Sequence, residues 1–372
     1  MITFIHSSDL HLGKAFGRYP DDVQARLRQA RADVLPRLAA LAMDHNASHI
    51  VLAGDTFDQT TPAPSVIRQA LNMMRAADHV TWVLMPGNHD HANATELWRQ
   101  VAQDAPPNVA LQLDPHPFLL NDTTTLLPAP PAERAPGRDL TDWFDTADTG
   151  ETVRIGLAHG SVTDFNSSED GTSSVITPDR AKRAGLKYLA LGDWHGQLQI
   201  TPDTWYSGAP EADGFKHTQT PSALLVKVAG PNAPVTVTSL PTGTIHWQRA
   251  TLDLNSQDAI DDVHAGALPP LAARALTLFD LVVTGFLSPL ERVKLEQNIA
   301  NAAPDFLWHR ADLNALGMTH NTDDLDAIDH QGALRATAET LAREAADDSL
   351  PPDVRETAQA ALSHLFSLAV EA

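Results

Sequence analysis

Cysteine is absent from the 372 residues. No disulfide and no thiolate-bound metal can therefore figure in the chemistry, while the redox compartment stays open. Long apolar runs are missing too, since none approaches the ~18 residues that a membrane-spanning helix needs. Basic residues are scarce, 26 Lys and Arg against 47 Asp and Glu, for a net charge of −21. The deficit is steepest over residues 251–372, which hold 7 basic and 20 acidic side chains. Neutralising a phosphate backbone takes a basic surface, so that tail is a poor nucleic-acid contact and the overall balance counts against DNA without excluding it. The opening Met1–Ile5 reads as a strand leading straight to Asp9, with no basic leader and no apolar h-region, and the expectation is a soluble cytoplasmic protein.

What the chain does have is a 43% hydrophobic content laid out in a β–loop–α–β rhythm. Strands are expected at Thr3–His6, His49–Ala53, Val80–Met85, Val153–Ala158 and Lys187–Leu191, with helices near residues 21–45 and 64–77. A polar segment from Thr163 to Ser174 reads as a rim. From Gln197 onward, short runs at Thr204–Ser207, Ala223–Val228, Val235–Ser239 and Thr244–Leu252 suggest a second, mostly antiparallel sheet. Past residue 255 a strand, a helix with Ser288 as N-cap and another strand form a small β-α-β unit. Two helical patterns close the chain; in the second, Val354, Ala358, Ala361, Leu365 and Leu368 recur at helical spacing. The expected domains are 1–254, catalytic; 255–330, a small α/β cap; and 331–372, a helical tail able to dock a partner.

Ligand-type residues recur at the ends of these strands: Asp9-Leu10-His11, Gly54-Asp55, Gly87-Asn88-His89-Asp90, His159, and Gly192-Asp193-Trp194-His195. A parallel sheet gathers its strand ends at one edge, where open α/β folds place ligands. Taken singly, each pair is more often a turn than a ligand; five in order, each after a strand, are hard to produce by turn chemistry alone. Asp9 and His11, two residues apart, would share one side of an extended chain. Asp55 stands where it could bridge two cations about 3.5–4 Å apart, an arrangement suited to phosphoester hydrolysis. Oxygen and imidazole donors favour manganese, magnesium, iron or zinc. His6, His91 and His217 could approach the site, although hydrogen-bonded structural histidines are commoner.

This set resembles the calcineurin-like metallophosphoesterase pattern D-x-H, G-D-x-x-D, G-N-H-D, H, G-H-x-H, over residues 1–200. Within that superfamily, Ser8-Asp9-Leu10-His11-Leu12-Gly13, Gly54-Asp55-Thr56-Phe57-Asp58 and the β-α-β unit look like SbcD-type DNA exonuclease subunits. The resemblance implies an α/β, four-layer αββα sandwich with two manganese-type ions, a capping domain and a coiled-coil, SMC-like ATPase partner resembling SbcC. It implies one metal on Asp9, His11, Asp55 and His195 and another on Asp55, Asn88, His159 and Asp193, with a metal-bridging hydroxide attacking phosphorus in line. His89 would stabilise charge or protonate the leaving oxygen, oriented by Asp90 through a ring nitrogen.

Two positions depart from the pattern. Asp193 stands where the family usually has histidine, which makes the second site harder and favours manganese or magnesium. Asp58 stands where many of the nuclease branch carry histidine near the phosphate. Lys14, Arg18, Asp58 and Trp194 are the expected substrate contacts, Trp194 by stacking a base. The leading expectation is a DNA nuclease subunit in repair or end processing, with homodimerisation a further option. A small-molecule phosphodiesterase, such as one for cyclic nucleotides, and a degenerate non-catalytic scaffold are the rivals.

Overall fold

The computed structural model describes residues 1–163, 175–216, 219–255, 258–318 and 332–371. His217 and, apart from Thr163, the polar segment expected as a rim lie outside the described residues. The chain divides into two units, Met1–Ile245 and His246–Ala372.

The first unit opens with β1 (Ile2–Ser7), α1 (Asp21–Ala32), α2 (Val34–Asp44), β2 (His49–Ala53), α3 (Pro64–Ala76), β3 (Thr81–Met85), α4 (Thr95–Asp104) and β4 (Val109–Leu111). It continues with β5 (Phe118–Asn121), β6 (Thr124–Ala129), β7 (Val153–His159), β8 (Ser161–Val162), β9 (Val175–Ile176), α5 (Arg180–Arg183) and β10 (Tyr188–Gly192). β11 (Leu198–Thr201), β12 (Thr204–Tyr206), β13 (Ser222–Val228) and β14 (Thr236–Pro241) complete it. Two six-stranded sheets result, ordered β14-β13-β1-β2-β3-β4 and β11-β12-β10-β7-β6-β5.

Their central strands are parallel and buried on both faces, which is why His49–Ala53 and Tyr188–Gly192 read as nearly unbroken apolar runs. Phe4, Val51, Val83 and Met85 of the first sheet meet Ile155, Leu157 and Tyr188 of the second in one core. The far face of the first sheet packs α2, α3 and α4 through Leu38, Leu71 and Trp98. On α3, Ile67, Leu71 and Met74 face inward one turn apart, each burial contributing about 1.5–3 kcal/mol. Phe144, Ala181 and Leu186 cover the far face of the second sheet, completing helix, sheet, sheet, helix.

Four sequence expectations change. The single helix over 21–45 is two helices: Pro36, in the first turn of α2, has no N–H to give and its ring crowds the carbonyl of Ala32, so the α1 ladder stops there. β13 and β14 do not join a second antiparallel sheet but extend the first, β13 pairing antiparallel with β1. The side of β1 away from β2 would otherwise leave buried N–H and C=O groups unpaired, and β13, buried on both faces but for Lys227, can take that interior place. The second sheet is mostly parallel, and β12 lies parallel to β10.

The run expected at Thr244–Leu252 belongs to the second unit as β15 (His246–Leu254). It is followed by α6 (Ile260–Ala267), α7 (Leu271–Arg274), β16 (Thr277–Leu287), α8 (Pro289–Ala302), β17 (Trp308–Met318), α9 (Ala333–Ala346) and α10 (Pro352–Glu371). The three strands are parallel, in the order β15-β16-β17. Ser288 caps α8 reciprocally: its hydroxyl accepts from the Glu291 N–H at 3.3 Å, and the Glu291 carboxylate accepts from the Ser288 N–H at 2.8 Å. Along α10 the inward residues are Ala358, Leu362 and Leu365, whereas Val354 is exposed; Leu362 packs with Ala338 of α9 and Leu290 of α8. No helix among the described residues is long and apolar enough to cross a membrane.

Candidate metal centre

The five ligand-bearing segments lie at the C-terminal ends of parallel strands from both sheets, β1, β2 and β3 of the first and β7 and β10 of the second. Asp9 and His11 reach the site differently from the extended geometry expected. Both have left-handed backbone, φ 56° and 44°, beyond the end of β1. The turn is held by Asp9 N–H on the Gly54 carbonyl at 3.1 Å and His11 N–H on the Asp55 carbonyl at 2.9 Å, while Leu10 plugs the core. Asp55 and Asp193 are also left-handed, so four of the six such non-glycine residues among those described lie here. Each costs of order 1–3 kcal/mol, a concentration of strain characteristic of functional sites. Gly54 and Gly87 are required for a related reason: a Cβ on the first would strike the His159 ring, and on the second the Asp55 carboxylate.

Three overlapping groups converge, with ligand atoms within 4.8 Å of one another: Asp9, His11 and His195; Asp9, Asp55 and His159; His11, Asp58 and His89. Asp9 is common to the first two groups, and Asp55 of the second also reaches the first, its Oδ2 lying 3.7 Å from His11 Nε2 and 3.6 Å from His159 Nε2. His11 Nε2 is 3.2 Å from His195 Nε2, which is 3.9 Å from Asp9 Oδ1. Asp193 Oδ1 stands 3.7 Å from His159 Nε2 and accepts from Asn88 Nδ2 at 3.2 Å.

These side chains fit metal ions. His159 Nδ1 donates to the Ala53 carbonyl at 2.8 Å, which turns Nε2 into the site, where it is buried and has no hydrogen-bond partner. Asn88 Oδ1 is likewise buried and unpartnered. Spacings of 3.6–3.7 Å around His159 Nε2 are too long for hydrogen bonds but near those of two donors each about 2.1 Å from one cation.

The electrostatics agree. Burial pulls the His11 imidazole down to about 4, leaving it neutral and ready to ligate. Burial also opposes charge on His159, yet Asp55, Asp193 and Asp9 around it outweigh that and raise it to about 9. Asp55 is pushed up by burial, then by Asp90 and Asp9. The metal-free pair therefore keeps a proton at neutral pH that an arriving cation must displace. We expect metal binding to release at least about one proton per chain near pH 7, and affinity to rise with pH toward 9 and fall below it. Calorimetry in buffers of different ionisation enthalpy checks this; binding without proton release contradicts it.

The remaining residues divide. His89 is half-buried and oriented by the Asp58 backbone carbonyl, 2.8 Å from Nδ1. The Asp90 contact expected there is not made: its buried carboxylate accepts from Gly87 N–H at 2.6 Å and Phe57 N–H at 3.0 Å, clamping the loop. The reason is proximity, since Gly87 of the same loop and Phe57 of the loop after β2 both turn their amides onto this acid. The Asp58 carboxylate sits 3.3 Å from His11 Nδ1, opposite the nitrogen that faces the site. Lys14 is bound to Asp213 at 2.6 Å, and Arg18 lies over the Tyr19 ring at 5.0 Å. Trp194 is 41% exposed. His6 lies away from the cluster, bonded to the Tyr188 hydroxyl at 3.0 Å and held to about 3 by burial.

Sequence reasoning missed Asp213 and Arg31. Asp213 Oδ2 is 3.7 Å from His195 Nδ1. Arg31, fully buried on α1, donates to the carbonyls of Leu10 at 2.7 Å and Asp9 at 2.9 Å, bracing the first turn of the site. Its only signal in the sequence is a cation on an otherwise inward helix position. Replacing it with Ala leaves those carbonyls unpaired, so Arg31→Ala should cost about 3 kcal/mol or more, read as a fall in the urea midpoint; an unchanged midpoint refutes the bracing role.

Residues 2–185 match the family model described as calcineurin-like phosphoesterase. The chain carries a calcineurin-like phosphoesterase domain. Domains of this family are metal-dependent phosphoesterases, in keeping with the clustered acids and imidazoles. An uncharacterized metallophosphoesterase, YhaO, of Bacillus subtilis is 23% identical over 278 residues, covering 68% of this chain and 63% of that protein. The DNA double-strand break repair protein Mre11 of Methanosarcina acetivorans is 23% identical, over 68% of this chain and 41% of its own. The SbcD component of the nuclease SbcCD of Bacillus subtilis is 32% identical over 90 residues, 23% of this chain and 22% of that one. The chain thus spans less than two thirds of each of these relatives.

Proposed function

We propose that this protein is a two-metal phosphodiesterase acting on DNA, as the exonuclease subunit of an SbcD-type complex in repair or end processing. The observation that carries the reading is Asp55, whose carboxylate lies between the His11 and His195 side of the site and the His159 and Asp193 side. In this assignment Asp9, His11, Asp55 and His195 hold one cation and Asp55, Asn88, His159 and Asp193 the other. The harder donor Asp193 favours manganese or magnesium. Bound cations supply Lewis-acid activation of water and of the phosphoryl oxygens.

The chain's own groups do the rest. The Asp58 carbonyl holds a hydrogen on His89 Nδ1, leaving Nε2 to carry the proton given to the departing oxygen. Asp90 and Gly87 fix the backbone that presents Asn88 and His89. Lys14, paired with Asp213, supports His195 rather than a phosphate. The likeness to the Mre11 and SbcCD proteins supports DNA as substrate and an SbcC-like ATPase as partner, and a cytoplasmic location is part of the same reading. The net charge of −21 favours the small-molecule alternative.

Digestion of single- and double-stranded DNA with manganese, beside a chromogenic phosphodiester, decides between them. Cleavage of DNA is expected; turnover of the chromogenic ester alone removes the nuclease half. Inactivity toward both, with fewer than one ion bound per chain, removes the whole.

A further inference from the structure

Beside His195 the first unit holds a cavity of about 320 Å³, at the small end of ligand sites, and none of the other proposed metal ligands lines it. Trp194 stands at its rim with 41% of its surface exposed, unusual for an indole that has a core nearby. Gly196 and Gly208 form the wall. A Cβ on Gly196 would lie 2.9 Å from the indole Nε1 and 3.3 Å from Gln219 Oε1, so the missing side chain is what lets ring and amide close in. Gly208 has φ +73°, and a Cβ there would meet the Gln197 backbone nitrogen at 2.7 Å. Gln197 and Gln219 bring two amides, and the buried Nε2 of Gln197 has no hydrogen-bond partner among the described residues. Lys216 adds a cation at the same cavity.

We infer that this cavity binds a single unstacked nucleobase of the substrate strand, next to the metal centre. An exposed indole offers the π-face on which any base stacks, two amides offer donors and acceptors for a base edge, and a lysine suits the attached phosphate. The single indole face at the cavity takes one base, and the volume of about 320 Å³ accommodates it. His195, a proposed metal ligand, itself lines the cavity beside Trp194, so a base bound there sits next to the metal centre. The inference deepens the phosphodiesterase reading, on which it rests for the identity of the strand.

The test uses the full chain without added metal and two probes, thymidine 5′-monophosphate and deoxyribose 5-phosphate, measured by calorimetry. We expect the nucleotide to bind about tenfold more tightly than the sugar phosphate. Trp194→Ala should collapse that ratio toward one, whereas Trp194→Phe, which keeps a stacking face, should preserve most of it. Gly196→Ala, pressing on both ring and amide, should lower it as well. Equal binding of the two probes to the parent chain, or a ratio unmoved by Trp194→Ala while circular dichroism shows a folded variant, overturns the inference. Discrimination that persists in a chain unable to hydrolyse any phosphodiester with manganese would sustain the base pocket and sink the phosphodiesterase reading instead.

Discussion

Asp55→Asn should abolish hydrolysis, lowering kcat/KM at least about a thousandfold, and should cut manganese occupancy from two ions per chain to one or fewer. The shared position of its carboxylate, with Oδ2 3.7 Å from His11 Nε2 and 3.6 Å from His159 Nε2, is the reason; Asp9 also comes within 4.8 Å of both imidazoles, with its Oδ1 3.9 Å from His195 Nε2. The amide keeps an oxygen to accept from the His89 N–H, a bond of 2.9 Å in the parent, so the loop should stay in place. The metal-free variant should be no less stable than the parent. Burial and neighbouring acids raise the Asp55 carboxyl in the folded state, so its ionised form is a cost there above its unfolded value, and an uncharged amide removes that cost. Elemental analysis and thermal melts on the same sample separate the two effects. Two ions retained with full rate would show that Asp55 is not the bridge.

His89→Ala should have the opposite signature, a loss of about 10²–10⁴ in kcat with both metals kept. The His89 ring meets the Asp58 carbonyl through Nδ1, stacks edge-on against His11 at 4.7 Å and groups with His11 and Asp58 rather than with Asp55 and His159; only its backbone N–H reaches Asp55. A variant that loses an ion would make His89 a ligand. One that keeps its rate would leave the departing oxygen without its proton donor and send the assignment elsewhere.

The candidate ligands are legible because each sits where a run of buried β residues ends, and a parallel sheet stacks such ends together. Periodicity also reports the helices that cover the first sheet, as in the Ile67, Leu71 and Met74 stripe. Asp90 misleads because sequence adjacency to His89 suggests a partner, whereas the tight loop turns the acid back onto Gly87 and Phe57. Asp58 stands in the G-D-x-x-D motif and Arg31 is a cation on an inward helix position, but neither signal tells what the side chain touches, and Asp213 carries no pattern at all. Their roles depend on residues far along the chain: Arg31 braces Leu10, and Asp213 approaches His195 and Lys14 only once the sheets have closed.

Taken alone, the sequence determined the candidate donors, the strand ends that bear them and the apolar faces of the covering helices, since these follow from local spacing and side-chain chemistry. Only the tertiary structure decided that β13 completes the open side of β1 and that β15 leaves the first unit. It alone placed Asp9 and His11 in a left-handed turn held by the carbonyls after β2. Backbone pairing between segments hundreds of residues apart, and the strain it sustains, leave no mark on the residues that take part, because any strand with the right burial can supply the N–H and C=O groups.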